Sequence, residues 1–438
     1  MTTINVAGSA VTATDPMVVD SPAVAPATSD AIVDNDGSDG RVAAVLTALR
    51  HHLDIDRATN IGFPSTFDCD YSPIWPFFNN VLNNVGDPYT ESAFPANTKH
   101  LEREVIEFFA RLLRAPADDY WGYVTTGGTE GSEYGLLLAR TLLPDAMTYV
   151  SQAAHYSGPK LLAKLGMPAI TVRASRDGQL DVRDLRRAVG AHRHRPAIVL
   201  ATIGTTMTEA VDDVAAIRRV LDSLAIRRCY VHADAALSGL PLALLAPGSR
   251  PAFDLSDGAD SISVSAHKAL GCPFPAGVVL TRRSLCNRVG TAVDYIGTHD
   301  TTIGGSRSGH APLVLWYAIN LHGVNGLRRR FHAARQVAEF AVTQLGAIGW
   351  SAWRHPHAFT VVMDTPPDPI RAKWRLASST GQSHLVAVPG ITTQQVGGLV
   401  QDLADHLGRP APAPECLTVP VPRSPYPVSD QTDAEGPR

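Results

Sequence analysis

The stretch DSISVSAHKALGCPFPAGVVLT, residues 260–281, decides how the chain is built. Two β-prone runs, SISVSA and AGVVLT, flank a connection rich in Gly, Cys and Pro. A parallel pair needs a crossover of a dozen or more residues, usually a helix. This connection is too short for one, so one of the two strands runs antiparallel. Upstream the pattern differs. WGYVTT, MTYVSQ, AITVRA, AIVLATI and CYVHADA are short strand-like runs, with helical stretches such as GSEYGLLLARTLL and VDDVAAIRRVLDSLA between several of them. Strands alternating with helices predict an α/β fold, here a mostly parallel seven-stranded sheet covered on both faces.

Outside this alternation the pattern changes. RVAAVLTALRHHLD places Val42, Val45, Leu46 and Leu49 at helical spacing, and LEREVIEFFARLLRAP repeats the pattern up to Pro116. After about residue 310 a long helical region leads to candidate strands AFTVVMD and SHLVAVPG and a last helix, TTQQVGGLVQDLADHL. The expected organisation is a disordered arm over 1–40, a helical segment over 41–95, a large domain over 96–305, a small C-terminal α+β domain over 306–408 and a Pro-rich disordered tail over 409–438.

Composition narrows the function. A 438-residue chain that is 45% hydrophobic and 18% charged has the balance of a globular enzyme. No apolar run approaches the roughly 20 residues that span a bilayer, and the N-terminus lacks a basic region followed by an apolar one, so a cytoplasmic protein without membrane contact is expected. A net charge of −4 with interspersed signs gives no basic stripe for nucleic acid. The five cysteines form no CxxC pair, which argues against a disulfide framework or a metal site.

Ligands of an open α/β sheet bind outside the carboxyl ends of its strands, and five strand ends carry candidate chemistry. In VTTGGTEGSEYG, a strand runs through Gly127, Gly128 and Thr129 into a helix, offering backbone N–H groups and a helix N-terminus to a phosphate, although such a loop is more often a plain tight turn. His155 follows the next strand and could stack on a ring or donate to a carboxylate. Thr205 and Thr206 follow AIVLATI, with Asp212 expected to cap the next helix. Asp234 ends an apolar strand among alanines with no Arg or Lys nearby in sequence, so burial calls for a cationic partner. The protonated ring nitrogen of pyridoxal phosphate is such a cation. Lys268 ends the fifth strand. It is one of only five lysines against 33 arginines, and in an apolar pocket its amine becomes nucleophilic toward an aldehyde. For each residue alone a structural or surface role is the commoner explanation; together they form one consistent set.

TTGGTEGSEYGLLLAR, YVSQAAHYSGPKLL, IGTTMTEAVDD, HADAALSG, SISVSAHKALGCPFPAGVV and GTHDTTIGGSRSGHAPLVLWYAI resemble the group II pyridoxal-phosphate amino acid decarboxylases. The likeness runs from about residue 60 to 405 and is strongest to the bacterial histidine and plant serine decarboxylase branch. It implies a fold type I, aspartate aminotransferase-like enzyme whose large domain binds pyridoxal 5'-phosphate and which forms a homodimer with a shared active site. It implies that Lys268 carries the cofactor, that Asp234 pairs with the pyridinium nitrogen, that Ala236 packs on the ring and that His155 covers its other face and helps hold the substrate carboxylate. Gly127, Gly128, Thr129, Ser265 and His267 would bind phosphate and Thr206 would sit near the ring. Ser306 or Arg307 would reach across the dimer interface, and Phe94 and Asn97 would lie by the substrate side chain.

The sequence also departs from the family. Ala266 stands where a glycine is usual, which is tolerable unless the position needs a positive φ, and Ser132-Glu133 replaces Asn followed by an apolar residue. The implied reaction is decarboxylation of an L-amino acid to its amine, histidine to histamine first. Serine or an apolar amino acid such as methionine, leucine or valine is the alternative substrate. Transamination and decarboxylation-dependent oxidation are alternative reactions. A degenerate paralogue should lack the lysine, the aspartate or the histidine, and all three are present.

Overall fold

The computed structural model describes residues 39–91, 94–288, 291–293 and 298–412. The expected arm over 1–40, but for its last two residues, and most of the tail over 409–438 lie outside them, as does Ala93. In chain order the elements are α1 (Asp39–Thr59), α2 (Lys99–Leu112), β1 (Trp121–Thr125), α3 (Gly128–Leu142), β2 (Met147–Ser151), α4 (Ser157–Lys164), β3 (Ala169–Val172), α5 (Val182–Ala191), β4 (Ala197–Thr202), α6 (Val214–Ser223), β5 (Cys229–Asp234), α7 (Gly239–Ala243), β6 (Ser261–Ser265), β7 (Gly277–Thr281) and α8 (Arg283–Cys286). Then come β8 (Thr291–Val293), β9 (Thr298–Asp300), α9 (His310–Ala347), β10 (Ala352–Trp353), β11 (Thr360–Asp364), α10 (Asp368–Lys373), β12 (Ser378–Ser379), β13 (Gln382–Val386) and α11 (Thr393–Leu407).

All seven strand-like runs enter one sheet, in the order β1-β7-β6-β5-β4-β2-β3. β2, β3, β4, β5 and β6 pair in parallel, while β7 runs against both β6 and β1. The short connection after SISVSA therefore turns the chain back, as its length requires. β1, β4, β6 and β7 are buried along their whole length. β4 reads as a near-continuous apolar run, whereas β6 alternates Ser with Ile and Val, and two of its buried serines are satisfied by Ser132 of α3 and His232 of β5. A second sheet, β10-β11-β13-β12, packs with α9 and α11 to make the small C-terminal α+β domain. α11 begins with a reciprocal capping box between Thr392 and Gln395.

Two local expectations change. Asp212 does not cap a helix: Asp213 does, accepting the Ala216 N–H at 2.7 Å. Asp212 is instead fully buried, with one carboxylate oxygen accepting the Leu180 N–H and the other the Thr202 N–H, both at 2.8 Å. That burial pushes its pKa up to about 6. The apolar face of α1 is also left uncovered among the described residues, where Val42, Val45, Leu46 and Leu49 are all exposed.

Among the described residues no helix is long and apolar enough to cross a membrane. No group of three or more metal-ligating side chains comes together there.

Candidate active site

The carboxyl ends of β4, β5 and β6 and the N-terminus of α3 come together at one edge of the sheet. Asp234 and Ser263 are register partners on β5 and β6, so the turns after these strands lie side by side. Ser265 N–H donates to the Ala236 carbonyl at 3.2 Å. Beyond it the Ala266 carbonyl accepts from Gly271 and Cys272, closing a compact turn that holds His267 and Lys268. Ala266 itself is not among the residues with positive φ, so its methyl group sits there without backbone strain.

Lys268 is half-buried, and no described residue accepts a hydrogen bond or ion pair from its amine. Burial lowers its pKa, opposed by the charges of Asp234 and Glu209. A desolvated amine without a partner is the reactive form of lysine. Asp234 is half-buried as the last residue of β5. Its carboxylate accepts the Ala236 N–H at 3.2 Å. Burial raises its pKa, with the charge of Lys268 the largest opposing influence, then the Ala236 bond and His155.

His155 faces the same pair. Its Nδ1 lies 2.7 Å from Ser157 Oγ and accepts the Ser157 N–H at 3.3 Å. That leaves Nε2 to carry the proton of the neutral ring. Burial first, and then the charge of Lys268, lower its pKa, while Asp234 acts against them.

The glycine loop closes the group. Gly127 has a φ of 152°, which a side chain rarely adopts, and Gly128 opens α3. A Cβ on Gly128 would lie 2.5 Å from Ser265 Oγ and 3.1 Å from Ala236 Cβ. Three strand ends thus meet at a point where only hydrogen fits. The Ser265 hydroxyl, on a residue 4% exposed, has no hydrogen-bond partner among the described residues. Thr129 and Thr206 are exposed toward solvent, and His267 Nδ1 lies 3.3 Å from the Ala276 carbonyl. A buried amine, a carboxylate, an unpartnered hydroxyl and a helix N-terminus behind two glycines fit an aldehyde-bearing phosphorylated cation.

Other expected residues fall elsewhere. Ser306 is exposed, accepts from the Asn83 amide at 3.2 Å, and lines a cavity of about 420 Å3 with Thr126, Thr129 and Phe274. Arg307 does not reach outward. It is buried in its own protomer on Glu102 and the Gly86 carbonyl, because Glu102 is fully buried and needs a cation. Asn97 spends its side-chain amide on the Phe94 carbonyl at 2.8 Å and its oxygen on the Lys99 N–H. Phe94 is 37% exposed. The departure at Ser132-Glu133 is absorbed locally: Ser132 Oγ bonds Ser263 Oγ at 2.9 Å and Glu133 pairs with Lys164. Sequence reasoning missed Glu209, a buried acid whose signal was an unpaired charge between a strand and its helix.

The pyridoxal-dependent decarboxylase conserved domain matches residues 88–347. The chain belongs to that family. This decarboxylase is therefore an enzyme, a carboxy-lyase that uses pyridoxal 5'-phosphate to act on an amino acid. It is 45% identical over 346 residues to a histidine decarboxylase of Mesorhizobium japonicum, covering 79% of this chain and 93% of that one. To serine decarboxylase 2 of Oryza sativa it is 36% identical over 366 residues, covering 83% and 78%. The structure of L-methionine decarboxylase from Streptomyces sp. 590 superposes with a TM-score of 0.77 over 84% of this chain and 95% of that one, at 24% identity, which shows the shared fold type I architecture.

The Gly128 contact gives a direct test. Gly128→Ala places a methyl group against Ser265 and Ala236, so affinity for pyridoxal phosphate should fall about tenfold or more while the apoprotein keeps its helical signal. Titration of the apoprotein, followed by visible absorbance, measures it.

Proposed function

We propose that this decarboxylase converts L-histidine to histamine and carbon dioxide as a cytoplasmic homodimer. The observation that carries the substrate is the 45% identity to a histidine decarboxylase across nearly all of that protein. When bound, pyridoxal phosphate supplies an electron sink for the pair left as the carboxylate departs. In this reading Lys268 anchors the cofactor, Asp234 keeps its ring nitrogen protonated and Ala236 packs on the ring. Gly127, Gly128, Thr129, Ser265 and His267 hold its phosphate, Thr206 lies at the ring edge, and Ser306 reaches the cofactor across the dimer interface.

His155 covers the opposite face and its Nε2–H holds the substrate carboxylate, with Phe94 and Asn97 near the substrate side chain. Orientation by these residues sets the bond to be broken perpendicular to the ring. The dimer is supported by apolar surface left bare on one protomer, including the α1 face, Trp75, Phe77 and Val81. The cytoplasmic setting is supported by four described cysteines that are all free thiols.

The test is a carbon dioxide release screen over the standard amino acids with added pyridoxal phosphate, on a preparation whose mass is measured by light scattering. Histidine should give the fastest release, with histamine as product, from a particle twice the chain mass. A faster rate on serine or methionine, or an aldehyde or keto acid as product, overturns the substrate or the reaction.

A further inference from the structure

Glu209 combines three features that each oppose folding. It is 3% exposed, its carboxylate is held by hydrogen bonds with no cation in ion-pair range among the described residues, and its φ of 56° lies in the left-handed region. A strained, buried, unpaired acid persists only where its surroundings over-determine it, and such positions cluster at functional sites.

Its partners show what it joins. One oxygen accepts from Ser238 Oγ at 2.9 Å, in the turn that begins at Asp234. The other accepts the Phe359 N–H at 2.9 Å, the Thr360 N–H at 2.8 Å and Thr360 Oγ1 at 2.7 Å, where β11 of the C-terminal domain starts. Glu209 itself belongs to the turn after β4, whose exposed tip is Thr206. The Glu209 N–H donates to the Thr205 carbonyl, and both Gly204 and Thr205 donate to Ala210, so the turn is closed around this residue. On β13, His384 places Nδ1 3.3 Å from the neighbouring Met207 carbonyl. One carboxylate therefore ties the turn bearing Thr206 and the turn after Asp234 to the small domain. Its charge is also felt at Lys268, where it favours the protonated amine.

We propose that Glu209 is a positioning residue of the decarboxylase, locking these two cofactor-facing turns onto the C-terminal domain and adding, after Asp234, to the negative charge felt at Lys268. The inference rests on the assignment of Lys268 and Asp234 to the cofactor site.

Two full-length variants test it. Glu209→Gly relieves the backbone strain but removes the carboxylate; Glu209→Gln keeps an oxygen acceptor and removes the charge. In the apoprotein, Glu209→Gly should speed amide hydrogen exchange at Phe359 and Thr360 about tenfold or more and weaken pyridoxal phosphate binding by a similar factor. Glu209→Gln should keep most of that protection, while the pH midpoint of the bound cofactor's visible absorbance moves down, because a negative charge that favoured protonation is gone. Wild-type protection and affinity in Glu209→Gly, or an unmoved midpoint in Glu209→Gln, would overturn the proposal. Wild-type protein that fails to bind the cofactor would sink the site assignment instead, so the two failures are told apart.

Discussion

Lys268→Ala should leave a folded protein that takes up no covalent cofactor and releases carbon dioxide at least about 10^4-fold more slowly, the scale on which removal of a covalent nucleophile acts. After dialysis the variant should show no visible absorbance. Retention of that band would mean that another amine carries the cofactor. The substitution should not damage the apoprotein, since the Lys268 amine has no described hydrogen-bond partner to orphan. It should also flatten the stability profile. The lysine pKa is lowered in the folded state, so the unfolded chain binds its proton more readily, and wild-type stability rises with pH toward the ordinary lysine value. Thermal melts of the two apoproteins from neutral to alkaline pH should converge as that value is approached, with the variant the more stable at neutral pH.

What was legible in the sequence follows from how each feature is encoded. The seven strands were readable because short β-prone runs alternate with helical stretches, and the one reversal because ten or so residues cannot make a crossover helix. Lys268, Asp234, Gly128 and Ser265 were readable because each follows a strand, and strands of one parallel sheet deliver their ends to one edge. Features that depend on distant partners were not. The resemblance sends Ser306 or Arg307 across an interface, yet Glu102, far earlier in the chain, claims Arg307. Asp212 and Asp213 are both plausible caps, and only the Leu180 N–H arriving from another loop decides between them. Glu209 was hidden for the same reason, since its donors at Phe359 and Thr360 lie about 150 residues away. The apolar face of α1 had the right spacing for a packed helix, but spacing does not say what covers it, and among the described residues it stays exposed.

Asp234→Asn separates cofactor binding from cofactor activation. The amide is nearly isosteric, and its oxygen can still accept the Ala236 N–H that Asp234 accepts now. What it lacks is charge. Burial raises the Asp234 pKa in the apoprotein, so the ionised form there is held mainly by the charge of Lys268. A bound pyridoxal phosphate would supply the cation that the carboxylate needs, and Asp234 would hold the proton of that cation in place. Asn at this position would leave that proton without a charged acceptor, so the bound cofactor would supply a weaker electron sink. The expected result is a kcat lower by about a hundredfold to a thousandfold, or roughly 3–4 kcal/mol of transition-state stabilisation, with the visible band retained. Added pyridoxal phosphate should also raise the melting temperature less in the variant than in wild type, because one charge-assisted contact is missing. The pair of readouts matters. Wild-type kcat with weaker cofactor binding would make Asp234 a mere anchor, whereas wild-type binding with a collapsed kcat places its charge at the chemical step.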